Sequence, residues 1–439
     1  MALFGTDGIR GSYGDFLTAE LAERVAFAAG QLIPPHSRVI VGRDPRQSGV
    51  ELEAGIISGF TKCGHDVARI GVIPTPGLAF LACETGIALG VMITASHNPA
   101  TDNGIKIFGH DGMKISDLDE ERIEKWVNSD AQVAQSISGA LNDDNSAVER
   151  YVNHLKSSIN SRLSGLKVVV DCAHGAASVI APRVLRELGA EVSVIGARPD
   201  GLNINSGVGS THLELLQETV QKERADIGIA HDGDADRTLM VDARGRVIDG
   251  DAILAALAIS MSNANQLEKN TVVTTVMSNL GFHKKMAAVG IAVEVTSVGD
   301  RYVLERINEK KLSLGGEQSG HIIIRRLATT GDGILTALSI LALMAKKEFT
   351  SESLYEVFPK YPQTLVNIPV TDKSLALADP RVRSAIAAQE RSLGENGRVL
   401  VRASGTENLV RVMAEADTIE RAEEVVESIS SVLKMHFGA

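Results

Sequence analysis

The sequence predicts an α/β protein of three similar units followed by a smaller α+β module, and two observations carry that reading. The first is a pattern used three times: a short β-branched run, an amphipathic helical stretch, and a second such run opening on glycine. Residues 38–41, 51–61 and 64–70 make one copy, 166–170, 176–188 and 189–195 a second, and 271–276, 280–289 and 290–295 a third. Strand–helix–strand units of this kind favour parallel pairing, with the strands buried under helices. The second observation is a change of pattern near the C-terminus. A strand near 365–370, a helix near 380–391, strands at 398–402 and 409–415 and a long last helix read as an antiparallel module, because two of its strands are joined by a short loop.

A length of 439 residues allows about three domains at roughly 150 residues each, with two or four still open. The expected segments are 1–150, 151–250, 251–364 and 365–439. The polar stretch 128–145 supplies the first connector, and Pro359, Pro362 and Pro369 around Tyr361 mark the last. An apolar share of 44% with 41 glycines and 23% charged residues excludes disorder, collagen and coiled coil. A net charge of −11 argues against a nucleic-acid or anionic-membrane binder, either of which needs a positive face. An anionic small substrate stays possible where basic residues gather locally. No stretch reaches the roughly 18 apolar residues of a membrane span; the best, 334–345, includes Thr336 and Ser339. No secretory signal is expected at the start, and Cys63, Cys83 and Cys172 are scattered without a C-x-x-C pair. A cytoplasmic protein without a disulfide framework is the expectation.

TASHNPATDNGIK (94–106) follows an apolar run at 88–93, so Ser96 and His97 lie on the loop leaving a strand's carboxyl end, where α/β folds hold ligands. With turns expected at Asn98-Pro99 and at Asn103-Gly104, Ser96 reads either as an exposed nucleophile or as part of a plain polar turn. DGDADR (232–237) follows the apolar run 227–230. Asp232, Asp234 and Asp236 offer hard oxygen ligands at alternate positions, and their mutual repulsion favours a bound cation over a solvated turn. An EF-hand is excluded, since its glycine would fall on Arg237 and its last glutamate on Ala243.

LGGEQSGH (314–321) puts Glu317 and Ser319 among glycines, a pairing suited to sugar hydroxyls and equally readable as a hairpin. RASGTE (402–407) with Arg411 combines two guanidinium forks, two hydroxyls and a glycine N–H, the composition of a phosphate cradle; a plain hairpin turn is the alternative, though it gives no reason for the two arginines. GTDGIRG (5–11) is a further basic glycine-rich loop, and GDRY (299–302) places Arg301 at a helix start, where the dipole favours anions.

In this order the motifs GTDGIRG, TASHNPATDNGIK, DGDADR, VGDRY with GGEQSGH, and RASGTE resemble the α-D-phosphohexomutase superfamily, in its branch acting on glucosamine phosphates, over the whole chain. The resemblance implies three similar α/β domains with mixed sheets and a smaller C-terminal domain around a central cleft. It implies that Ser96 is a phosphoserine and that Asp232, Asp234 and Asp236 hold Mg²⁺, with a phosphate oxygen on Ser96 as a further ligand. Glu317, Ser319 and Arg301 would bind the sugar phosphate, and Arg402, Ser404, Gly405, Thr406 and Arg411 the phosphate not being transferred. Arg10, Lys106 and His321 match positions tied to proton transfer or positioning. The reaction implied is interconversion of glucosamine 6-phosphate and glucosamine 1-phosphate through the 1,6-bisphosphate, supplying amino-sugar precursors for the cell wall. A phosphomannomutase or phosphoglucomutase and a silent sugar-phosphate binder remain as alternatives, and a homodimer is allowed. Two positions depart from the pattern: Ala235 stands where relatives often have glycine, and Asn408 where proline is usual.

Overall fold

The computed structural model describes residues 3–5, 7–84, 86–129, 131–133, 138–404 and 408–438. All three repeats form as parallel pairs: Arg38–Arg43 with Asp66–Val72, Lys167–Asp171 with Glu191–Ile195, and Thr271–Thr275 with Ala292–Thr296. Their crossover helices are Gly49–Lys62, Ala177–Glu187 and Leu280–Ala288. In the first unit the inward faces of helix and strands meet in one apolar cluster that includes Leu52, Ile56, Phe60, Val39, Val67 and Val91. Each such side chain contributes about 1.5–3 kcal/mol on burial.

What makes each sheet mixed is a hairpin added to the parallel pair. Ile87–Ile93 runs parallel to Arg38–Arg43 and antiparallel to Asp102–Gly109. Ile227–His231 runs parallel to Lys167–Asp171 and antiparallel to Thr238–Asp242. Leu314–Gly316 runs parallel to Thr271–Thr275 and antiparallel to Ile322–Ile324. The chain therefore reverses three times at the same place, the carboxyl end of the strand where the sheet changes direction. Those three reversals carry Ser96, the Asp232–Asp234–Asp236 trio and Glu317. Such switch points leave the loop clear of helices and open to a ligand.

The fourth sheet is antiparallel throughout, in the order Gln363–Pro369, Leu409–Glu415, Arg398–Ala403. It packs under the helix Ile419–Phe437, whose Val425, Val426, Ile429 and Leu433 share a core with Val410 and Val412. By their contacts the residues form two compact units, Met1–Thr275 with Ile291–Val357, and Val276–Gly290 with Phe358–Ala439. The crossover helix Leu280–Ala288 thus belongs with the C-terminal sheet. Its first N–H donates to Glu415 Oε2 (2.8 Å), and Asn279 exchanges hydrogen bonds with the Tyr361 backbone (2.9 Å each).

Three local expectations are corrected. Residues 9–12 are a strand, Ile9–Ser12, paired with Asp102–Gly109, and not a loop. Asn103-Gly104 lies inside that second strand instead of making a turn; the glycine is needed because a Cβ there would sit 2.8 Å from the Ile9 carbonyl oxygen. The polar connector includes a short edge strand, Leu141–Asp143, added in parallel to Asp66–Val72. Among the described residues no helix is long and apolar enough to cross a membrane.

Candidate active site

Ser96 is buried, at 1% exposure, which corrects the expectation of an exposed hydroxyl. Its φ of 52° lies in the left-handed region, which costs a serine about 1–2 kcal/mol unless its surroundings impose it. They do: its N–H donates to Thr94 Oγ1 (2.9 Å), and its carbonyl accepts from Arg46 (3.0 Å) and Asn205 Nδ2 (2.9 Å). The hydroxyl is thereby aimed at Asp232 Oδ2, 2.5 Å away. His97 Nδ1 lies 3.2 Å from the Ser96 hydroxyl oxygen. Burial, then the Arg237 and Arg10 charges, bring His97 down to about 4, so its ring is neutral at pH 7.

Asp232, Asp234 and Asp236 are all buried, and each offers an oxygen within 4.8 Å of the others. Gly233 lets this loop touch the serine loop, since a Cβ would stand 2.5 Å from the Ser96 carbonyl oxygen. Ala235 occupies a left-handed position with φ 54°, so the departure from glycine is tolerated here at a strain cost. Asp234 Oδ2 accepts from Thr75 Oγ1 (2.6 Å) and from Lys106 Nζ (2.9 Å). Lys106 Nζ also lies 3.4 Å from Asp236 and 3.1 Å from Asp7.

Burial alone would drive the Lys106 ammonium toward its neutral form, but the Asp234, Asp7 and Asp236 carboxylates raise its pKa above the ordinary lysine value. Burial, then the Asp236 and Asp234 charges, push Asp232 well up. Asp236 falls below the usual range because Lys106, with His321 and Arg237, outweighs its burial. The trio fits a small hard cation. Asp234 Oδ1 and Asp236 Oδ1 are buried and make no hydrogen bond among the described residues, and unsatisfied carboxylate oxygens cost free energy that such an ion returns.

Around the trio the structure gathers four of the other candidates. His321 is buried, with Nδ1 3.7 Å from Asp236 Oδ2, while its Nε2 accepts the Gly331 N–H (3.0 Å). Burial opposes a charge on this ring, whereas Asp236, Asp300 and Glu317 favour one. The carboxylates prevail and raise its pKa above the ordinary imidazole value, while the Gly331 N–H on Nε2 is the contact of the neutral ring that carries its proton on Nδ1. Glu317 follows the strand Leu314–Gly316 in a true hairpin and accepts the Gly299 N–H (3.1 Å); buried Ser319 Oγ has no partner. Arg10 pairs with Asp7, which also meets Lys106 and Lys114. Arg301 is placed differently: it pairs with Asp117, donates to the Ile115 carbonyl (2.9 Å) and lies 3.5 Å from Glu120.

In the C-terminal unit Arg402 and Arg411 stand directly opposite each other on paired strands, an arrangement of like charges that is unfavourable by itself. Among the described residues no carboxylate pairs with either, and Arg411 Nε is buried without a partner. Burial, then the facing Arg411, lowers the Arg402 pKa. Ser404 is buried beside them, its N–H on the Leu409 carbonyl (2.9 Å) and its own carbonyl accepting from Lys373 (2.7 Å). Gly405 and Thr406 lie outside the described residues. Sequence reasoning gave no role to Asp7, Asp44, Arg46, Thr75, Lys114 and Asn205; Asp7 lay within the singled-out GTDGIRG, and the charge-dense GRDPR at 42–46 offered a signal for Asp44 and Arg46.

Three mixed α/β sheets with a serine, an aspartate trio and a glutamate at their switch points, and a buried lysine against the trio, define a phosphohexomutase class of site, and comparison with known proteins agrees. Family models for phosphoglucomutase/phosphomannomutase α/β/α domains I, II and III match residues 1–134, 149–245 and 249–361, and that family's C-terminal domain matches 365–432. A phosphoglucosamine mutase of Rhodococcus opacus (strain B4) is 50% identical over 439 residues, covering 98% of this chain and 99% of the relative. Two solved structures share the fold. A phosphoglucomutase/phosphomannomutase family protein of Burkholderia thailandensis has TM-score 0.82 at 23% identity, over 99% of this chain and 97% of that one. An N-acetylphosphoglucosamine mutase of Aspergillus fumigatus, in complex with GlcNAc-6P and magnesium, has TM-score 0.71 at 19% identity, over 99% and 95%. The chain belongs to the α-D-phosphohexomutase family, among the phosphoglucosamine mutases.

Proposed function

We propose that the protein interconverts glucosamine 6-phosphate and glucosamine 1-phosphate, with Ser96 carrying the phosphoryl group and the 1,6-bisphosphate as intermediate. The observation that carries this reading is the Ser96 hydroxyl held against Asp232 at the edge of a buried trio of carboxylates. Phospho-Ser96 gives its phosphoryl group to the free hydroxyl of the sugar phosphate; the bisphosphate turns over and returns its other phosphoryl group to the Ser96 oxygen. The product leaves and the enzyme is again phosphorylated.

The transition state of such a transfer is loose and electron-rich, so catalysis is mostly alignment and charge stabilisation. Asp232, Asp234 and Asp236 would hold Mg²⁺, which supplies charge stabilisation at the transferring group. Lys106, kept protonated by three carboxylates, acts as a fixed positive charge. Arg10 shares Asp7 with it, and His321 presents an Nδ1–H toward Asp236. Glu317 and Ser319 accept and donate to sugar hydroxyls; the unpartnered Ser319 hydroxyl supports that role. Arg402, Ser404 and Arg411, with Gly405 and Thr406, bind the phosphate that is not transferred, and the uncompensated arginine pair supports it. Arg301, paired with Asp117, would have to exchange that partner to meet a substrate phosphate.

The test is turnover of glucosamine, glucose and mannose 6-phosphates side by side with phosphorylated enzyme and saturating Mg²⁺. The highest kcat/KM is expected with the amino sugar. Equal or greater efficiency with mannose 6-phosphate would make the protein a phosphomannomutase, and no turnover of any would make it a binder.

A further inference from the structure

Asp44 and Arg46 form an ion pair in which neither side chain is exposed (0% each), with Arg46 Nε 2.9 Å from Asp44 Oδ2. A buried pair is a poor source of stability, because desolvation cancels most of its attraction and apolar residues of similar size often serve as well. Its purpose shows in where the remaining hydrogen bonds go. The Arg46 guanidinium donates to the carbonyls of Ser96 (3.0 Å), Asn98 (2.8 Å) and Pro99 on the serine loop and of Asp102 (3.0 Å) at the start of the strand that follows it. Asp44 Oδ2 accepts from Thr94 Oγ1 (2.7 Å), and that oxygen accepts the Ser96 N–H (2.9 Å). Both peptide groups flanking the Ser96 Cα are therefore tied to one buried pair, the first through Thr94 and the second directly. The residue so tied is the one held in the left-handed region.

We propose that Thr94, Asp44 and Arg46 are positioning residues for phosphoryl transfer, a clamp that fixes the Ser96 backbone through both halves of the cycle. The proposal rests on the mutase reading above. Ser96 loses its phosphoryl group and must recover one from the bisphosphate before that intermediate diffuses away. A loop free to relax once the serine is bare would withdraw Oγ from the phosphorus it has to attack. None of the clamp's hydrogen bonds uses the Ser96 hydroxyl, so all of them persist whether or not it is esterified. The left-handed conformation is thereby retained at the moment when the phosphate's own contacts are gone.

Thr94→Val keeps the shape of the side chain and deletes the hydroxyl, while Thr94→Ser restores it. Thr94→Val is expected to lower kcat by about 10²-fold with KM within about twofold of wild type. It should slow phosphorylation of bare Ser96 by the 1,6-bisphosphate, followed by intact mass, by a similar factor. Thr94→Ser should recover most of both. Wild-type rates in Thr94→Val would overturn the clamp, as would a loss of equal size in Thr94→Ser or a change confined to KM. Should Thr94→Val not fold, Arg46→Lys, which keeps the charge and loses the fork, is judged by the same two rates. Wild-type enzyme that turns over no sugar phosphate would overturn the mutase reading instead.

Discussion

Around Ser96 the protein has supplied its own counter-charges, whereas around Arg402 the described residues pair no carboxylate with either facing arginine. Asp7, Asp234, Asp236 and Asp300 are interlocked with Lys106, Lys114 and Arg10 at the serine and aspartate loops. Arg402 and Arg411 face each other across two strands with no carboxylate paired to them among the described residues. The first region is organised before any sugar arrives, so little rearrangement is left for the transition state. The second keeps its repulsion until an anion relieves it. On the proposed reading the first serves the reaction and the second capture of the substrate, so substitutions in the two should separate in kcat and KM.

Ser96→Ala breaks the first region most severely. It should leave no detectable mutase turnover, while stability measured by denaturant unfolding moves by only about 1 kcal/mol, the worth of one hydrogen bond. Next comes Asp234→Asn, which removes a charge from the trio and weakens the hold on Lys106. Expected are a kcat lower by about 10²–10³-fold, a KM within about threefold of wild type and weaker Mg²⁺ binding by calorimetry; normal Mg²⁺ affinity with normal turnover would remove the metal role. The contrast is sharpened by Arg411→Ala, with Arg402→Ala alongside. Each should raise KM by about tenfold, the worth of one charged hydrogen bond, and leave Mg²⁺ affinity alone. Unchanged sugar-phosphate affinity in both would reduce the loop to a hairpin. The smallest effect belongs to Ala235→Gly, which should stabilise the fold by about 0.5–1 kcal/mol by relieving a left-handed alanine, read as a shifted urea midpoint at constant slope.

What could be read before folding was whatever has a local signature. The three strand–helix–strand repeats announce themselves through periodicity, and TASHNP and DGDADR through residue types crowded into a few positions. Thr75 has no such mark, because it acquires meaning only by meeting Asp234 from 159 positions away. Asp44 and Arg46 look like ordinary loop charges until the fold buries them, and their partners at Thr94, Asn98 and Asp102 lie about fifty positions on. Leu141–Asp143 escaped for a different reason: all three residues are exposed, so the strand carries no apolar alternation to detect. Asn103-Gly104 misled because glycine signals a turn and a close backbone approach in the same way, and only the neighbouring Ile9–Ser12 strand distinguishes them.

The helix Leu280–Ala288 is made early and needed late. Its partners Phe358, Tyr361 and Glu415 follow it off the ribosome only after 70 to 130 further residues, a wait of roughly 4 to 25 s at about 5–20 residues per second. During that interval Phe282, buried in the finished protein, lacks the Phe358 ring it packs against. Translation must reach Glu415 before the helix finds the carboxylate that receives its first N–H.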